Sequence, residues 1–280
     1  GTNGSGIYRS LNNGTNWSPL VSSGLVSAEQ VYFLNASTGF TGGISGSLSA
    51  GASIASVSKT TDGGASWIVT QFPENGSASE LQFLNMNNGF VLIKSTSPMY
   101  KIYKTSNTGL NWSAVYSTTE IVNDIYFTSQ LNGWMAGELG KVYKTTNGGT
   151  NWSLQVTGIT DQLMAVFFLN VNSGWACGYN GKIITTTNGG TNWNQQVSGT
   201  TKILTDIEFS SQVIGCIVGD DGQRLTTGNG GANWLSQFEP SQADLEAVTF
   251  AGSTQAFVGG SDGYIASNSS IVGSNISGTL

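Results

Sequence analysis

Residues Asp124 to Trp152 read DIYFTSQLNGWMAGELGKVYKTTNGGTNW, and residues Ala165 to Trp193 read AVFFLNVNSGWACGYNGKIITTTNGGTNW, one pattern at one length. Each is an apolar run containing Phe, a Gly-aromatic pair, a Gly-containing turn, a second apolar run, and an eight-residue phrase closing on Trp. The phrase recurs as SLNNGTNW, TTDGGASW, TSNTGLNW, TTNGGTNW, TTNGGTNW and TGNGGANW. It places Trp17, Trp67, Trp112, Trp152, Trp193 and Trp234 at spacings of 50, 45, 40, 41 and 41 residues. A period near 40 belongs to propellers and solenoids.

The unit divides into four short strands. The first contains Phe33, Phe83, Phe127, Phe168, Phe209 or Phe250, and the second begins at Phe40, Phe90, Trp134, Trp175, Cys216 or Phe257. The third is the run around Tyr8, Val57, Tyr103, Tyr143, Ile183, Leu225 and Ile265, and the fourth starts at the repeated Trp. Apolar residues alternate or run over a few positions, and no helical stripe is sustained. The predicted fold is all-β, a β-propeller of four-stranded antiparallel blades. Between second and third strands, Asn180-Gly181, Asp221-Gly222 and Asp262-Gly263 accept positive φ and are predicted to close two-residue hairpins. Within the phrase, Asn12, Asp62, Asn107, Asn147, Asn188 and Asn229 offer a short polar side chain to nearby backbone amides. The glycine two positions later, such as Gly64 or Gly190, takes the left-handed conformation. Each Trp is expected to bury its ring between sheets, worth about 2 kcal/mol or more from apolar area.

The phrase resembles the Asp-box, Ser/Thr-x-Asp/Asn-x-Gly-x-x-Trp, with Asn in place of the usual Asp in five of six copies. The wider unit, with its Gly-Trp, Gly-x-Ile/Val and Thr-x-Asn-Gly-Gly-x-x-Trp, resembles the Ycf48-like photosystem II assembly factor propellers from Gly6 to about Ser267. The resemblance implies the propeller fold and leaves activity open. Asp-box propellers also include sialidases, xyloglucan-active glycosidases, sortilin-type receptors and secreted bacterial proteins. It also implies an Arg-rich surface, whereas this chain has only Arg9 and Arg224.

Five units are complete, from Gln30 to the strand after Trp234. The N-terminal residues supply a third and fourth strand, and the C-terminal residues supply the first three. Joined, they make a sixth blade, with seven blades the alternative; the third strand is then present twice, at Ile7 to Ser10 and at Tyr264 to Ser267. One period throughout predicts a single propeller domain over residues 1–280. The opening GTNGSGIYRS matches the middle of a unit, so the chain is expected to be a segment of a longer protein. The partial units are candidates for strand exchange with neighbouring chains or upstream blades.

Charged residues make up 9% and the formal net charge is −6. The clustered Lys and Arg that phosphate binding needs are missing, so no nucleic-acid partner is expected. No apolar run is long enough for a membrane span. A surface rich in Ser, Thr and Asn associates with exported bacterial proteins, so a secreted, cell-surface or periplasmic location is expected. Cys177 and Cys216, two positions out of register on neighbouring second strands, are read as buried free thiols, with a disulfide or reactive pair as alternatives. No metal and no cofactor is expected, since the chain has no histidine for the usual zinc sets or for His-dependent triads. A standard sialidase site, which the resemblance describes as needing three arginines, is excluded by two.

Carboxylates remain. The position three residues before the strand Phe holds Gln30, Glu80, Asp124, Ala165, Asp206 and Ala247, equivalent sites at one end of the innermost strands. Glu80, Asp124 and Asp206 are the candidate ligand-binding set, for a cation, a sugar or a basic peptide. The plainer role is that each caps its own strand entrance or faces solvent. A two-carboxylate glycosidase would draw on the same residues. Tyr32, Tyr126 and Tyr179 break the consensus and are candidates for a unique surface, while Trp134 and Trp175 are expected in the core. The lengthened segments Ser45 to Ser56 and Ser95 to Met99 are blade-specific loops, where function tends to sit. No catalytic residue is assigned, and the Asp-box itself is read as structural. The expected function is a non-catalytic binding or assembly scaffold with a protein or polysaccharide partner. The alternatives are a Ycf48-like assembly factor of a photosynthetic or other membrane complex, a polysaccharide-active glycosidase, and a segment of a larger surface adhesin.

Overall fold

The computed structural model describes residues 6–12, 16–46, 53–95, 99–239 and 242–268. The tips of both lengthened loops, 47–52 and 96–98, lie outside them, as does Gly14. The chain divides into two compact units, Gly1–Ile121 with Ser129–Leu131 and Asn147–Asn151, and Val122–Thr128 with Asn132–Thr146 and Trp152–Leu280.

In the first unit, β1 (Tyr8–Arg9) pairs with β2 (Ser18–Pro19). Then β3 (Ser27–Phe33), β4 (Gly39–Ser45), β5 (Ile54–Thr60), β6 (Ile68–Phe83), β7 (Gly89–Ser95), β8 (Tyr100–Thr105) and β9 (Ser113–Thr118) follow one another in a single antiparallel order. β6 serves twice: residues up to Asn75 pair with β5 as a fourth strand, and residues from Gly76 pair with β7 as a first strand.

The second unit holds separate sheets in chain order. They are β10 (Val122–Phe127), β11 (Gly133–Gly137), β12 (Val142–Thr145) and β13 (Ser153–Gln155); β14 (Leu163–Phe168), β15 (Gly174–Gly178), β16 (Ile183–Thr186) and β17 (Asn194–Gln196). Next come β18 (Leu204–Phe209), β19 (Gly215–Gly219), β20 (Gln223–Thr227) and β21 (Leu235–Phe238), then β22 (Leu245–Ala251), β23 (Gln255–Gly260) and β24 (Ile265–Asn268). The first three are the four-stranded antiparallel sheets that the 40-residue period predicts, and the last has three strands among the described residues. Among the described residues no helix is long and apolar enough to cross a membrane.

The Gly at the start of the second strand, present in five of six units and replaced by Ala256 in the last, has a packing cause. A Cβ at Gly174 would stand 2.5 Å from the ring of Phe168, and one at Gly39 would stand 2.6 Å from Phe33. Only glycine lets the first-strand Phe lie against that backbone. The same Phe then receives two aromatic partners. The phrase Trp of its own sheet meets it edge-on, as in Phe168–Trp193 (5.9 Å, 90°) and Phe83–Trp112 (5.9 Å, 77°). The second-strand aromatic of the preceding sheet lies flat on it, as in Trp175–Phe209 (3.7 Å, 12°) and Phe40–Phe83 (4.0 Å, 20°). The expectation that every phrase Trp is buried between sheets is therefore corrected. Trp193 is 9% exposed, but Trp67, Trp112, Trp152 and Trp234 are half-buried and Trp17 is 39% exposed. The residues truly buried between sheets are Trp134 and Trp175, with Phe40 and Phe90 at the same position.

The hairpins also differ from their prediction. Asn180 and Gly181 take positive φ (55° and 65°), and the Lys182 N–H donates to the Tyr179 carbonyl at 3.1 Å. Strand pairing, however, closes one residue earlier, with the Gly178 N–H on the Lys182 carbonyl at 3.0 Å. Three residues connect the strands rather than two, because the extra one turns its N–H to the entering chain: Tyr179 to the Gln162 carbonyl (2.9 Å) and Asp220 to Ile203 (3.0 Å).

Candidate functional site

The Asp-box consumes its own polar groups. In the second copy, Thr60 Oγ1 donates to Asp62 Oδ1 at 2.8 Å and accepts the Gly64 N–H at 2.8 Å, while Asp62 Oδ1 accepts the Ser66 N–H at 2.9 Å. The fifth copy repeats this with Thr186, Asn188, Gly190 and Asn192 at 3.0, 2.9 and 2.9 Å. Asn12, Asn107, Asn147 and Asn229 accept the equivalent amide at 2.8 to 3.0 Å. Asn suffices because the turn uses one oxygen, not the charge. Only Asp62 has a second oxygen to offer, and the Ser66 hydroxyl donates to it.

Every first strand carries a bulge at one place, with register shifts at Ala28/Gln30, Ala78/Glu80, Val122/Asp124, Leu163/Ala165, Leu204/Asp206 and Leu245/Ala247. A bulge re-aims the side chain that follows it. The re-aimed carboxylates reach into the next sheet. Asp124 Oδ2 accepts the Val166 N–H of β14, and Asp206 Oδ2 accepts the Val248 N–H of β22, both at 2.8 Å. Asp206 Oδ1 also takes the Ile207 N–H at 2.8 Å. In the first unit Glu80 accepts from Gln30 Nε2 at 2.9 Å, with Lys94 Nζ 3.9 Å away. The role of a cap on its own strand entrance is thus replaced, for Asp124 and Asp206, by a bond to the neighbouring first strand. Each of these Asp residues faces a strand whose equivalent position is Ala165 or Ala247, which leaves room for the carboxylate. Asp124 and Asp206 stand on first strands two sheets apart, with the sheet of Cys177 between them, and the charges of both help push that thiol up. Burial raises the Asp206 carboxyl, and its two amide donors oppose the rise.

The three singled-out tyrosines differ in setting. Tyr32 is half-buried and donates its hydroxyl to the Phe83 carbonyl at 2.8 Å. Tyr126 is half-buried with its ring 4.9 Å from that of Phe167. Tyr179, in the turn after β15, is 38% exposed. Cys177 and Cys216 are buried and unbridged, and burial pushes both thiols up.

Sequence reasoning missed two buried acids, Glu74 within β6 and Glu239 just after β21. Glu74 accepts from Lys101 Nζ at 2.6 Å and from the Tyr103 hydroxyl at 2.8 Å, and burial together with this carboxylate raises the Tyr103 phenol. Glu239 pairs with Arg224 at 2.6 Å and accepts from the Tyr264 hydroxyl at 2.8 Å. Neither lies in the repeating pattern; the one signal is the proline beside each, Pro73 and Pro240. An open crevice of about 460 Å³ also lies beside Asp221, Ala243, Asp244, Asp262 and Tyr264. One repeat earlier the equivalent place is taken by Lys202 on Asp221, and two repeats earlier by Asn180 on Asp161 (2.7 Å).

Residues 110–198 match the family model of the photosynthesis system II assembly factor YCF48. No curated protein matches the sequence. Among solved structures, a GH74 enzyme of Niastella koreensis superposes with a TM-score of 0.75 at 13% identity, covering 98% of this chain and 50% of that one. The GH74 xyloglucanase of Xanthomonas campestris gives 0.68 at 11% identity, with 92% and 48% covered. YCF48 bound to a D1 peptide gives 0.49 at 16%, with 89% and 92% covered. The chain thus spans about half the length of the GH74 enzymes it resembles, and the likeness concerns fold. The fold is that of a β-propeller, and the BNR-like repeats within residues 110–198 are similar to those of the YCF48 family.

Proposed function

We propose that the chain is a non-catalytic propeller scaffold for a protein partner, exported by a bacterium to its surface, periplasm or medium. The observation that carries this reading is the use of the first-strand carboxylates as framework. Asp124 and Asp206 are bonded to the backbone amides of Val166 and Val248, and Glu80 is bonded to Gln30. A glycosidase needs one carboxyl as acid and another as base or nucleophile at roughly 5–9.5 Å across the scissile bond. Here the two first-strand aspartates Asp124 and Asp206 stand on strands two sheets apart, and each is tied to an amide. The match of residues 110–198 to an assembly-factor family supports assembly over hydrolysis. Export rests on composition, a surface of few charges and much Ser, Thr and Asn.

The test is incubation of the purified chain with xyloglucan and with insoluble plant and bacterial polysaccharides, scored for reducing ends and for retention. Neither is expected. Reducing-end release that disappears in Asp124→Asn or Asp206→Asn would make the chain a glycosidase, and retention without release would make a polysaccharide its partner.

A further inference from the structure

Asp206 and Glu208 are two residues apart on β18 and therefore share one face of it. The other first strands hold Gln30/Tyr32, Glu80/Gln82, Asp124/Tyr126, Ala165/Phe167 and Ala247/Thr249 at these positions, so β18 alone has two carboxylates there. That face runs along β22. Asp206 accepts the Val248 N–H at 2.8 Å, and Glu208 accepts the Phe250 N–H and bonds the Thr249 side chain. Thr205 Oγ1 adds a bond to the Leu245 carbonyl at 2.6 Å. β22 ends its sheet, with β23 on one side only, so its other edge presents alternate amides that need acceptors. The two carboxylates stand in for the missing strand.

We propose that this two-carboxylate clasp between β18 and β22 is a pH-operated seam, tight while the pair shares one proton and loosened when both groups are ionised. A protonated Glu208 still offers its carbonyl oxygen to the Phe250 N–H, and it no longer repels Asp206. Burial first, and then the Asp206 charge, push the Glu208 carboxyl up to about 7, against the help of Phe250 and Thr249. Among the described residues no cation is placed to cancel the pair. Across from Glu208 on β19 stands Cys216, whose thiol is pushed up to about 12 and stays neutral. Arg224 of β20 is engaged by Glu239 at 2.6 Å and by Gln237 at 2.7 Å. Glu246 of β22 is exposed, and β14 brings Ala165 and Phe167, which carry no charge. An acid raised in the folded state stabilises it below the unfolded value near 4.5, and that contribution is lost as pH rises through about 7.

Hydrogen exchange of the Val248 and Phe250 amides at pH 5.5 and pH 8, corrected for intrinsic rates, tests the seam. Protection is expected to fall by about tenfold in the wild-type chain and to stay level in Glu208→Gln. A level wild-type profile, or a fall that persists in Glu208→Gln, overturns the proposal. If that variant does not fold, the carboxyl carbon shift of Glu208 in the wild-type chain decides: a midpoint near 7 supports the seam and one near 4.5 overturns it.

Discussion

The indole of Trp134 lies flat on the ring of Phe168, 3.6 Å between centroids and 10° between planes, and so joins the second strand of one sheet to the first strand of the next. Trp134 is fully buried, and its Nε1–H donates to the Gly189 carbonyl at 3.2 Å. Trp134→Ala is expected to cost about 3–5 kcal/mol from the cavity and lost contacts. Trp134→Phe is expected to cost much less, since Phe40 and Phe90 fill this position elsewhere. Urea unfolding of the two variants checks the order, and equal losses would refute it.

Leu139 sits at φ 56°, where the equivalent turns place Asn180, Asp221 and Asp262. The left-handed region is unfavourable to a branched side chain by about 1–2 kcal/mol, and at 61% exposure this leucine recovers little by packing. Leu139→Asn should therefore raise the urea midpoint by an amount equivalent to about 1 kcal/mol. A drop would mean that the side chain packs more than its exposure indicates.

Asp62 is the only charged residue at the Asp-box acceptor position. The Ser66 hydroxyl first, then the Ser66 amide and the Thr60 hydroxyl, hold its carboxyl down to about 2. A depressed acid stabilises the fold above its unfolded value near 3.8 and loses that contribution as pH falls toward 2. Asp62→Asn should flatten the acid limb of a thermal-stability profile between pH 4 and pH 2. An unchanged limb would place the acid sensitivity elsewhere.

Asn-Gly pairs lose ammonia when the glycine nitrogen attacks the asparagine carboxamide. In this fold the nitrogens are bonded elsewhere: Gly148 to the Leu131 carbonyl (2.9 Å), Gly189 to Asn172 (2.8 Å), Gly230 to Val213 (2.9 Å) and Gly181 to Lys202 (2.9 Å). Peptide mapping after incubation at pH 8 is expected to find Asn147, Asn188, Asn229 and Asn180 intact in the folded chain and deamidated in urea. Equal rates in both would show that these bonds open freely.

The crevice beside Ala243 lacks the ammonium that Lys202 supplies one repeat earlier. Ala243→Lys should pair with Asp262 and gain up to about 1 kcal/mol at low salt, fading as salt is added. A gain that ignores salt would point to packing rather than to charge.

The sequence by itself determined the repeat, the strand order within it and the turn chemistry. These depend on local rules: alternation, positive-φ positions filled by Gly, Asn or Asp, and a short polar side chain four residues before an amide. The repeat also revealed Gly-aromatic as a recurring pair, varied as Gly215-Cys216 and Ala256-Phe257, though not its reason, which is shown by the ring of Phe168 pressed on the backbone of Gly174. What only tertiary structure decided lies between repeats. Asp124 and Asp206 looked like members of a ligand ring, yet their amide partners are 42 residues away in sequence. Glu208 gave no signal because its neighbours, Asp206 aside, come from another strand. The second-strand aromatics Trp134 and Trp175 are buried as the repeat led one to expect, whereas most of the phrase tryptophans are covered only in part. Spacing reveals that a residue repeats, whereas the depth to which it is covered depends on the sheet that packs against it.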